Sequence, residues 1–329
     1  MDLIPYDAED AAAVESAVSI MREVVLADSP WERPPTTYRH TMSLRYGDGE
    51  PGRWFLLRED GADVGVVALH SSDHDNLELA WLSLAIRPSR RREGLGRRGL
   101  AVAAEESVRT GRPLLLLYGW DVPALRAFAA ATGFEERSTE VTRAQEMSGT
   151  PDETERFVSL RAEAAARAQD YELVRFAGES PEELLAALAR VTEAINDAPT
   201  DALEMEDERY DAARVRDYEH AMTASGFRFR RVIARHRETG EVVGHTVMVV
   251  DTEQPAWGEQ HDTAVLPAHR GHRLGLLLKA EMLLWLAEEE PQLRHVLTGN
   301  AASNDVMIAV NERLGYRVAG RELLFQRRF

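Results

Sequence analysis

The sequence predicts an α/β (α+β) protein that consists of two tandem copies of one domain. Three observations support this prediction. The chain has 329 residues, about twice the usual length of a single domain. Part of the sequence recurs 179 positions later, for example Gly65 as Gly244 and Gly96 as Gly275. Each copy also combines short strand-like apolar runs with longer helix-like runs, as in a sheet flanked by helices.

The composition is that of a globular protein. Hydrophobic residues make up 44% of the chain and charged residues 29%, which excludes collagen-like, coiled-coil and wholly disordered chains. No apolar run reaches the ~18–20 residues that cross a bilayer, and the first residues do not resemble a signal peptide. We therefore expect a cytoplasmic protein. The chain has no cysteine, which excludes disulfides, thiolate zinc sites and a cysteine nucleophile, and we expect no metal.

The charge balance restricts the partners. The chain has 39 basic and 56 acidic residues, a formal net charge of −17. This charge opposes binding to nucleic acid or to an anionic membrane surface. We therefore expect neither of these partners, but a small-molecule or peptide substrate, and a chain that is a monomer or a homodimer.

The repeat extends over more than one structural element. The matched residues at the constant offset are Arg58 and Arg237, Gly61 and Gly240, Gly65 and Gly244, Pro88 and Pro267, Arg91 and Arg270, Leu95 and Leu274, and Gly96 and Gly275. One pair of glycines could match by chance, but a constant offset through a turn, a strand end and a glycine turn indicates duplication.

The same order of elements is predicted in both copies. Each begins with a helix, continues with a two-stranded hairpin around an Asp-Gly or Thr-Gly turn and a third strand, and then has a helix, a strand and a last helix. In the first copy these are residues 11–25, 53–57, 64–69, 79–86, 95–109, 114–117 and a helix ending at Gly133. In the second they are residues 181–195, 229–234, 242–249, 261–266, 274–290, 295–297 and a helix ending at Gly315, preceded by a strand at 171–176.

The boundary between the copies is predicted near residue 168. Residues 162–168 are rich in alanine and favour a helix, and the strand at 171–176 starts the second copy. The predicted domains are therefore residues 1–167 and 168–329.

A glycine turn joins the third strand to the next helix. In the first copy it reads Arg91-Arg92-Glu93-Gly94-Leu95-Gly96-Arg97. Glycines let a ligand approach the backbone closely, and the free amides and dipole of a helix start favour an anion such as phosphate. The turn lacks the lysine of a P-loop and the third glycine of a dinucleotide fingerprint. A plain connecting turn with solvated arginines is the alternative interpretation.

These turns resemble the motif of the GCN5-related N-acetyltransferases, which has Gln or Arg, two residues, Gly, one residue, and Gly or Ala. Arg91, Gly94 and Gly96 match it. In the second copy Arg270 and Gly275 match, but Arg273 replaces the first glycine. The family's later motif, a helix that ends in Gly-Phe or Gly-Tyr, is similar to residues 304–316 and, less fully, to residues 124–134.

The resemblance implies two tandem domains of this family, each with a mixed, mostly antiparallel sheet flanked by helices. It also implies acetyl-CoA as cosubstrate. The pyrophosphate is expected on the amides of the glycine turns, and the pantetheine arm beside the third strand at Ile86 or Val265. The expected cofactor residues in the turns are Arg91, Arg92, Glu93, Gly94, Leu95, Gly96 and Arg97, and Arg270, Gly271, His272, Arg273, Leu274, Gly275 and Leu276. Asn300 and Asn304 are expected to bond the pantetheine amides, although Asn304 could instead cap a helix.

The resemblance also suggests which copy is catalytic. Several members use a glutamate on the third strand as a base, and Glu259 holds that position here, with Gln260, Asp262 and an ordinary solvated acid as alternatives. The offset pairs Glu259 with Ala80, which cannot accept a proton. The family's usual tyrosine acid is replaced by Asn311 and Ala129, but a thiolate leaves readily without one. The second copy is therefore expected to be catalytic and the first chemically degenerate.

The expected activity is direct transfer of an acetyl group from acetyl-CoA to a primary amine of a small molecule or peptide. An acetyltransferase like mycothiol synthase, which has the same tandem plan, is one alternative, and a non-catalytic acyl-CoA-binding protein is another. Residues 197–208 carry six acids, which suggests a cationic amine substrate, although a solvated acidic loop is the simpler interpretation.

Overall fold

A computed structural model describes residues 2–47, 49–50 and 52–329. The chain divides into two compact units that are not contiguous in sequence. The first unit comprises residues 1–140, 200–208 and 320–329, and the second comprises residues 141–199 and 209–319. The boundary near residue 168 refers to the sequence repeat and stays a prediction. None of the helices in these described ranges is long and apolar enough to cross a bilayer.

The first unit contains most of the elements of the first copy. Their bounds are β1 Asp2–Tyr6, α1 Ala11–Asp28, α2 Thr37–Tyr46, β2 Arg53–Glu59, β3 Ala62–His70, β4 Leu79–Ile86, α3 Leu95–Arg109, β5 Leu114–Trp120 and α4 Pro123–Thr132. Apolar side chains of β2 to β5 pack against α3 on one face of the sheet, and α1 covers the β1 to β3 part of the other face.

The second unit repeats this plan. The remaining bounds are β6 Glu135–Glu146, α5 Pro151–Ala165, β7 Tyr171–Ala177, α6 Leu185–Thr192, α7 Ala212–Ala224, β8 Phe227–His236, β9 Val242–Asp251, β10 Trp257–Val265, α8 Leu274–Glu289, β11 His295–Ala301, α9 Asp305–Leu314 and β12 Arg317–Arg328. Helices α5 and α8 pack on one face of its sheet and α6 and α7 on the other.

The last strands are exchanged between the copies. The first unit's sheet has the order β1-β2-β3-β4-β5-β12, and the second unit's has the order β6-β11-β10-β9-β8-β7. In the first sheet, β12 is antiparallel to β5 from Glu322 opposite Trp120 to Arg328 opposite Leu114. The strand that ends the second copy in sequence therefore completes the first unit's sheet.

The predicted α/β fold of two similar, mostly antiparallel sheets flanked by helices is confirmed. Strand β4 and helix α3 have the predicted bounds. Strand β10 begins at Trp257, earlier than the predicted 261, so Glu259 lies on a strand. The predicted helix at 181–195 is divided into a 3₁₀ turn, α6 and a second 3₁₀ turn.

Candidate functional site

In each unit two neighbouring parallel strands pair along only part of their length. Strands β4 and β5 pair from Leu79 opposite Leu114 to Leu82 opposite Leu117. Strands β10 and β11 pair from Trp257 opposite His295 to Glu259 opposite Leu297. The second halves of β4 and β10 continue to pair with β3 and β9 on their other side. A wedge therefore opens between the parallel strands, and an extended ligand could pair with the strand edge there.

Ile86 and Val265 end the strands that line these wedges. Both are half-buried and lie opposite a glycine of the neighbouring strand, Gly65 or Gly244. Contact of these two residues with a pantetheine arm stays a prediction.

The two glycine turns have the same backbone conformation with the glycines exchanged. In the first unit Arg92 has a φ of 71° and Gly94 a φ of 80°; in the second Gly271 has 86° and Arg273 has 58°. A left-handed residue other than glycine costs roughly 1–2 kcal/mol. Arg273 therefore accepts the conformation that Gly94 adopts freely, and the missing glycine of the motif does not change the shape of the turn.

The motif arginines, Arg91 and Arg270, hydrogen-bond to the ends of the strands that precede the turns. Arg91 Nε donates to the Ile86 carbonyl at 3.3 Å, and its guanidinium binds Asp28 at 2.9 and 2.6 Å. Arg270 Nε donates to the Val265 carbonyl at 3.0 Å, and its Nη2 donates to Asp197 Oδ2 at 2.6 Å. These side chains hold each turn against the end of its strand. A second carbonyl lone pair remains available at the strand ends.

The remaining turn residues differ in how far they are exposed to solvent. Leu95, Leu274 and Leu276 are buried in the apolar cores, so only their backbone amides can meet a ligand. Helices α3 and α8 start without a side-chain cap, as suits an anion-binding helix start. The exposed turn residues are Arg92, Glu93, Gly94, Arg97, Gly271, His272 and Arg273, and the half-buried ones are Gly96 and Gly275.

Three asparagines lie on β11, at the start of α9 and within α9. Asn304 caps α9 by accepting from the Met307 amide at 3.1 Å, as the alternative interpretation held. Asn300 donates to the Ala301 carbonyl at 3.0 Å and accepts from Asn311 Nδ2 at 3.2 Å. Asn311, where the family has its tyrosine, is fully buried. Its contact with Asn300 joins α9 to β11.

A β-bulge interrupts β10 beside the second wedge. Gln260 lies opposite Met248 and Thr263 opposite Thr246, so His261 and Asp262 together oppose Val247. Such an extra residue bends a strand and redirects side chains, and bulges are frequent near active sites. The corresponding pairing in the first unit has no such shift, since β3 and β4 pair continuously from Gly65 to His70.

Because of the bulge, the structural counterpart of Glu259 in the first unit is Trp81 and not Ala80. Glu259 lies opposite Val249 on β9, and Trp81 lies opposite His70 on β3. His70 and Val249 correspond at the offset of 179, so the structural counterpart of Glu259 is Trp81. The extra residue in β10 shifts the sequence match by one. Neither alanine nor tryptophan accepts a proton, so the first unit lacks a carboxylate at this position.

Trp81 lies on an apolar face covered by residues 200–208. Leu203 and Met205 pack with Trp81, Tyr118 and the buried leucines of this face. The side chain of Gln326 bonds both the amide and the carbonyl of Glu204, at 2.8 and 3.1 Å. This part of the acidic segment therefore belongs to the first unit, where it covers the face that carries Glu259 in the second unit.

Glu259 shares its face of the sheet with residues that the sequence did not point out. His261 Nε2 lies 3.9 Å from Glu259 Oε2, and His261 Nδ1 is hydrogen-bonded to the Tyr218 hydroxyl of α7. The alternation of side chains along a strand could have joined His261 to Glu259. Nothing in the sequence pattern places α7 over this strand.

The two alternatives to Glu259 are differently placed. Gln260 is buried on the opposite face, where its Nε2 donates to Thr246 Oγ1 at 2.9 Å. Asp262 lies in the bulge, and burial raises the pKa of its carboxyl while His261 and Arg231 oppose the shift. Among the three side chains, Glu259 is the accessible carboxylate beside the point where β10 and β11 separate.

The sequence matches the model of the acetyltransferase (GNAT) family twice, over residues 19–134 and 189–316. The chain belongs to this family, whose members transfer acetyl groups from acetyl-CoA. No curated protein matches the chain by sequence.

Solved structures agree with this assignment. A tandem GNAT protein from the clavulanic acid biosynthesis pathway is 25% identical, with a TM-score of 0.80 over 99% of this chain and 98% of its own. A GCN5-related N-acetyltransferase from Sphaerobacter thermophilus (15% identity, TM-score 0.67, 99% and 95% covered) shares the fold. So does a putative acetyltransferase from Pyrococcus horikoshii, with 12% identity, a TM-score of 0.60, and 100% and 89% covered.

Proposed function

We propose that the protein transfers an acetyl group from acetyl-CoA to a primary amine of a small molecule or peptide, and that the second unit carries out this reaction. The observation that carries the proposal is the position of Glu259. This carboxylate lies where β10 leaves β11, next to a bulge, on the strand that leads to the glycine turn at Arg270 to Gly275.

The proposed cofactor path follows the wedge. The amides at the start of α8 bind the pyrophosphate, and the free edge of β10 towards Val265 pairs with the pantetheine arm. This path directs the thioester towards the bulge. There Glu259 removes a first proton from the substrate ammonium, and the neutral amine attacks the carbonyl carbon while the thiolate of CoA leaves. The nitrogen then loses its second proton, which ends on the thiolate.

The first unit is proposed to bind acyl-CoA or to serve structure, without catalysis. Its turn keeps the motif glycines, but Trp81 replaces the carboxylate and Leu203 and Met205 cover the adjacent face. The alternative is a pure acyl-CoA-binding protein, in which neither unit is catalytic. The carboxylate beside an open wedge favours the enzyme.

We propose a primary amine as the substrate and no narrower class. The acidic segment suggested a cationic amine, but Glu204 is 3.5 Å from Arg328 and 3.6 Å from Arg137, and Glu206 accepts from the Asn76 amide at 3.2 Å. These glutamates already have partners within the first unit. A mycothiol synthase-like reaction is the alternative, and the amine panel described below tests it.

The test uses the full chain and a panel of amines. Release of CoA thiol is measured with neutral, cationic and amino-sugar amines, and acetyl-CoA binding is measured by calorimetry. Glu259→Gln is expected to lower kcat by roughly 10²–10⁴-fold with acetyl-CoA binding unchanged. Glu312→Gln, an exposed acid of α9, is the matched control. Acetyl-CoA binding without turnover of any amine would support the pure binding protein instead.

A further inference from the structure

The bulge of β10 and helix α7 bring three ionisable side chains of the second unit into a row. Glu259 and His261 lie two residues apart on the same face, with His261 Nε2 and Glu259 Oε2 separated by 3.9 Å. His261 Nδ1 is hydrogen-bonded to the Tyr218 hydroxyl, and the two rings lie 6.1 Å apart. Each ring nitrogen of His261 therefore faces one oxygen-bearing partner.

We propose that the base of the second unit is the Glu259–His261 pair, with the accepted proton held on His261 and Tyr218 as a positioning residue. The inference rests on the proposed function and deepens it. It assigns the proton to a group that the family resemblance does not suggest. The row is also reachable, since the side chain of His261 is 25% exposed and that of Glu259 37% exposed.

The neighbours of His261 can stabilise the proton once the ring has accepted it. An imidazolium donates from both nitrogens, so Nδ1 can donate to the Tyr218 oxygen while Nε2 faces the Glu259 carboxylate. His261 and the neighbouring Asp262 also interact, which opposes the rise that burial causes in the pKa of Asp262. The accepted proton thus lies between the Glu259 carboxylate and the Tyr218 phenol.

Arg231 and His245 are two further ionisable groups near the row. Arg231 of β8 is buried and forms an ion pair with Glu219 of α7, which offsets part of its charge. Burial lowers the pKa of His245 on β9 well below its ordinary value, helped by the charge of Arg231. His245 is therefore neutral at pH 7 and does not compete with His261 for the proton.

Tyr218 fixes the orientation of His261. Its ring packs edge-on against Phe229 of β8 at 6.0 Å and 76°, which holds the phenol in place. With Nδ1 engaged by this hydroxyl, Nε2 is directed to Glu259. The phenol acts through the histidine and needs no contact with the substrate.

The reaction balances with one proton released. The substrate ammonium gives a first proton to the pair, where it becomes the second ring proton of His261. The amine nitrogen then bonds to the thioester carbon, and the carbon–sulfur bond breaks. The nitrogen loses its second proton, which ends on the CoA thiolate as thiol, and the proton on His261 passes to solvent.

The test compares pH profiles of kcat/KM for the full-length protein and its variants. His261→Asn is expected to lower kcat/KM by roughly 10²–10⁴-fold and to remove the acidic limb that a histidine produces. Tyr218→Phe is expected to keep that limb with a lower kcat. The control is His220→Asn on the outer side of α7, whose side chain is 65% exposed, and its profile should match the wild type.

A second measurement does not depend on turnover. The ring protons of His261, followed by NMR, are expected to titrate at a lower pH in Glu259→Gln than in the wild type, because the ring loses an opposite charge at 3.9 Å. An unchanged titration overturns the pairing. If Glu259→Gln abolishes turnover while His261→Asn keeps the wild-type profile, the proposed function stands and this inference fails. If no amine is acetylated, the proposed function fails, and the NMR titration still decides whether the pair exists.

Discussion

The single lysine of the chain, Lys279, lies in the apolar core of the second unit. It is 2% exposed on α8, and its Nζ lies 5.0 Å from the centre of the Tyr316 ring. Burial lowers the pKa of Lys279 to about 7 from 10.5. Leu100 of α3 holds the corresponding position of the first copy and is also buried. An apolar side chain therefore suits this position, and we expect Lys279→Met to stabilise the protein.

The sign and size follow from the pKa difference between folded and unfolded chains. The folded pKa is the lower one, so the charge penalty is absent above pH 10.5, grows as the pH falls, and is complete below about pH 7. At pH 7 it amounts to about 4 kcal/mol, and at pH 9 to about 2 kcal/mol. The Lys279→Met variant should gain up to these amounts, reduced by the lost contact with Tyr316 and by imperfect packing.

Urea unfolding followed by circular dichroism at pH 7 and pH 9 measures this gain. The two units can unfold separately, so the relevant transition is the one that the substitution moves. Leu278→Met, a buried neighbour on the same helix, controls for the methionine and should shift stability equally at both pH values. A gain for Lys279→Met that does not shrink by about 2 kcal/mol between pH 7 and pH 9 would refute the depressed pKa, as would a loss of stability at pH 7.

Two further outcomes are expected from denaturation experiments. Gly94→Ala should lower the free energy of unfolding by roughly 1–2 kcal/mol, because this residue is left-handed with a φ of 80°. Gly275→Ala, on a helix with open space around it, should be neutral or stabilising by up to ~1 kcal/mol. Equal effects of the two substitutions would contradict backbone strain at Gly94. Glu219→Gln should cost about 3–5 kcal/mol by leaving the buried Arg231 without its counter-charge, whereas Glu288→Gln, 63% exposed, should change stability by less than ~0.5 kcal/mol; similar small losses would show that Arg231 is compensated otherwise.

Local patterns predicted much of each unit. The hairpins follow from Asp60-Gly61 and Thr239-Gly240, and the bounds of α3 follow from a glycine that starts it and a threonine after it. These signals depend on backbone conformations that only a few residue types favour. For the same reason the offset between the copies located both glycine turns.

Features that depend on distant contacts were not predictable. The bulge adds one residue between Gln260 and Thr263 without any change in composition, so the sequence match placed Ala80 where Trp81 lies. Helix α7 has mixed polar and apolar residues and is fixed by its packing on β8, which hid Tyr218 from a sequence-based search. Sequence order places the acidic segment in the second copy, but sequence order does not show which sheet a loop covers. Residues 200–208 cover the sheet of the first unit.

The exchanged strand β12 has a consequence for synthesis. Trp120 of β5 pairs with Glu322, and at ~5–20 residues per second the ribosome needs roughly 10–40 s to make the chain between them. During that time the leucine-rich edge of β5 has no partner, which exposes it to pairing with other nascent chains. The first unit therefore cannot complete its sheet until β12 has been made.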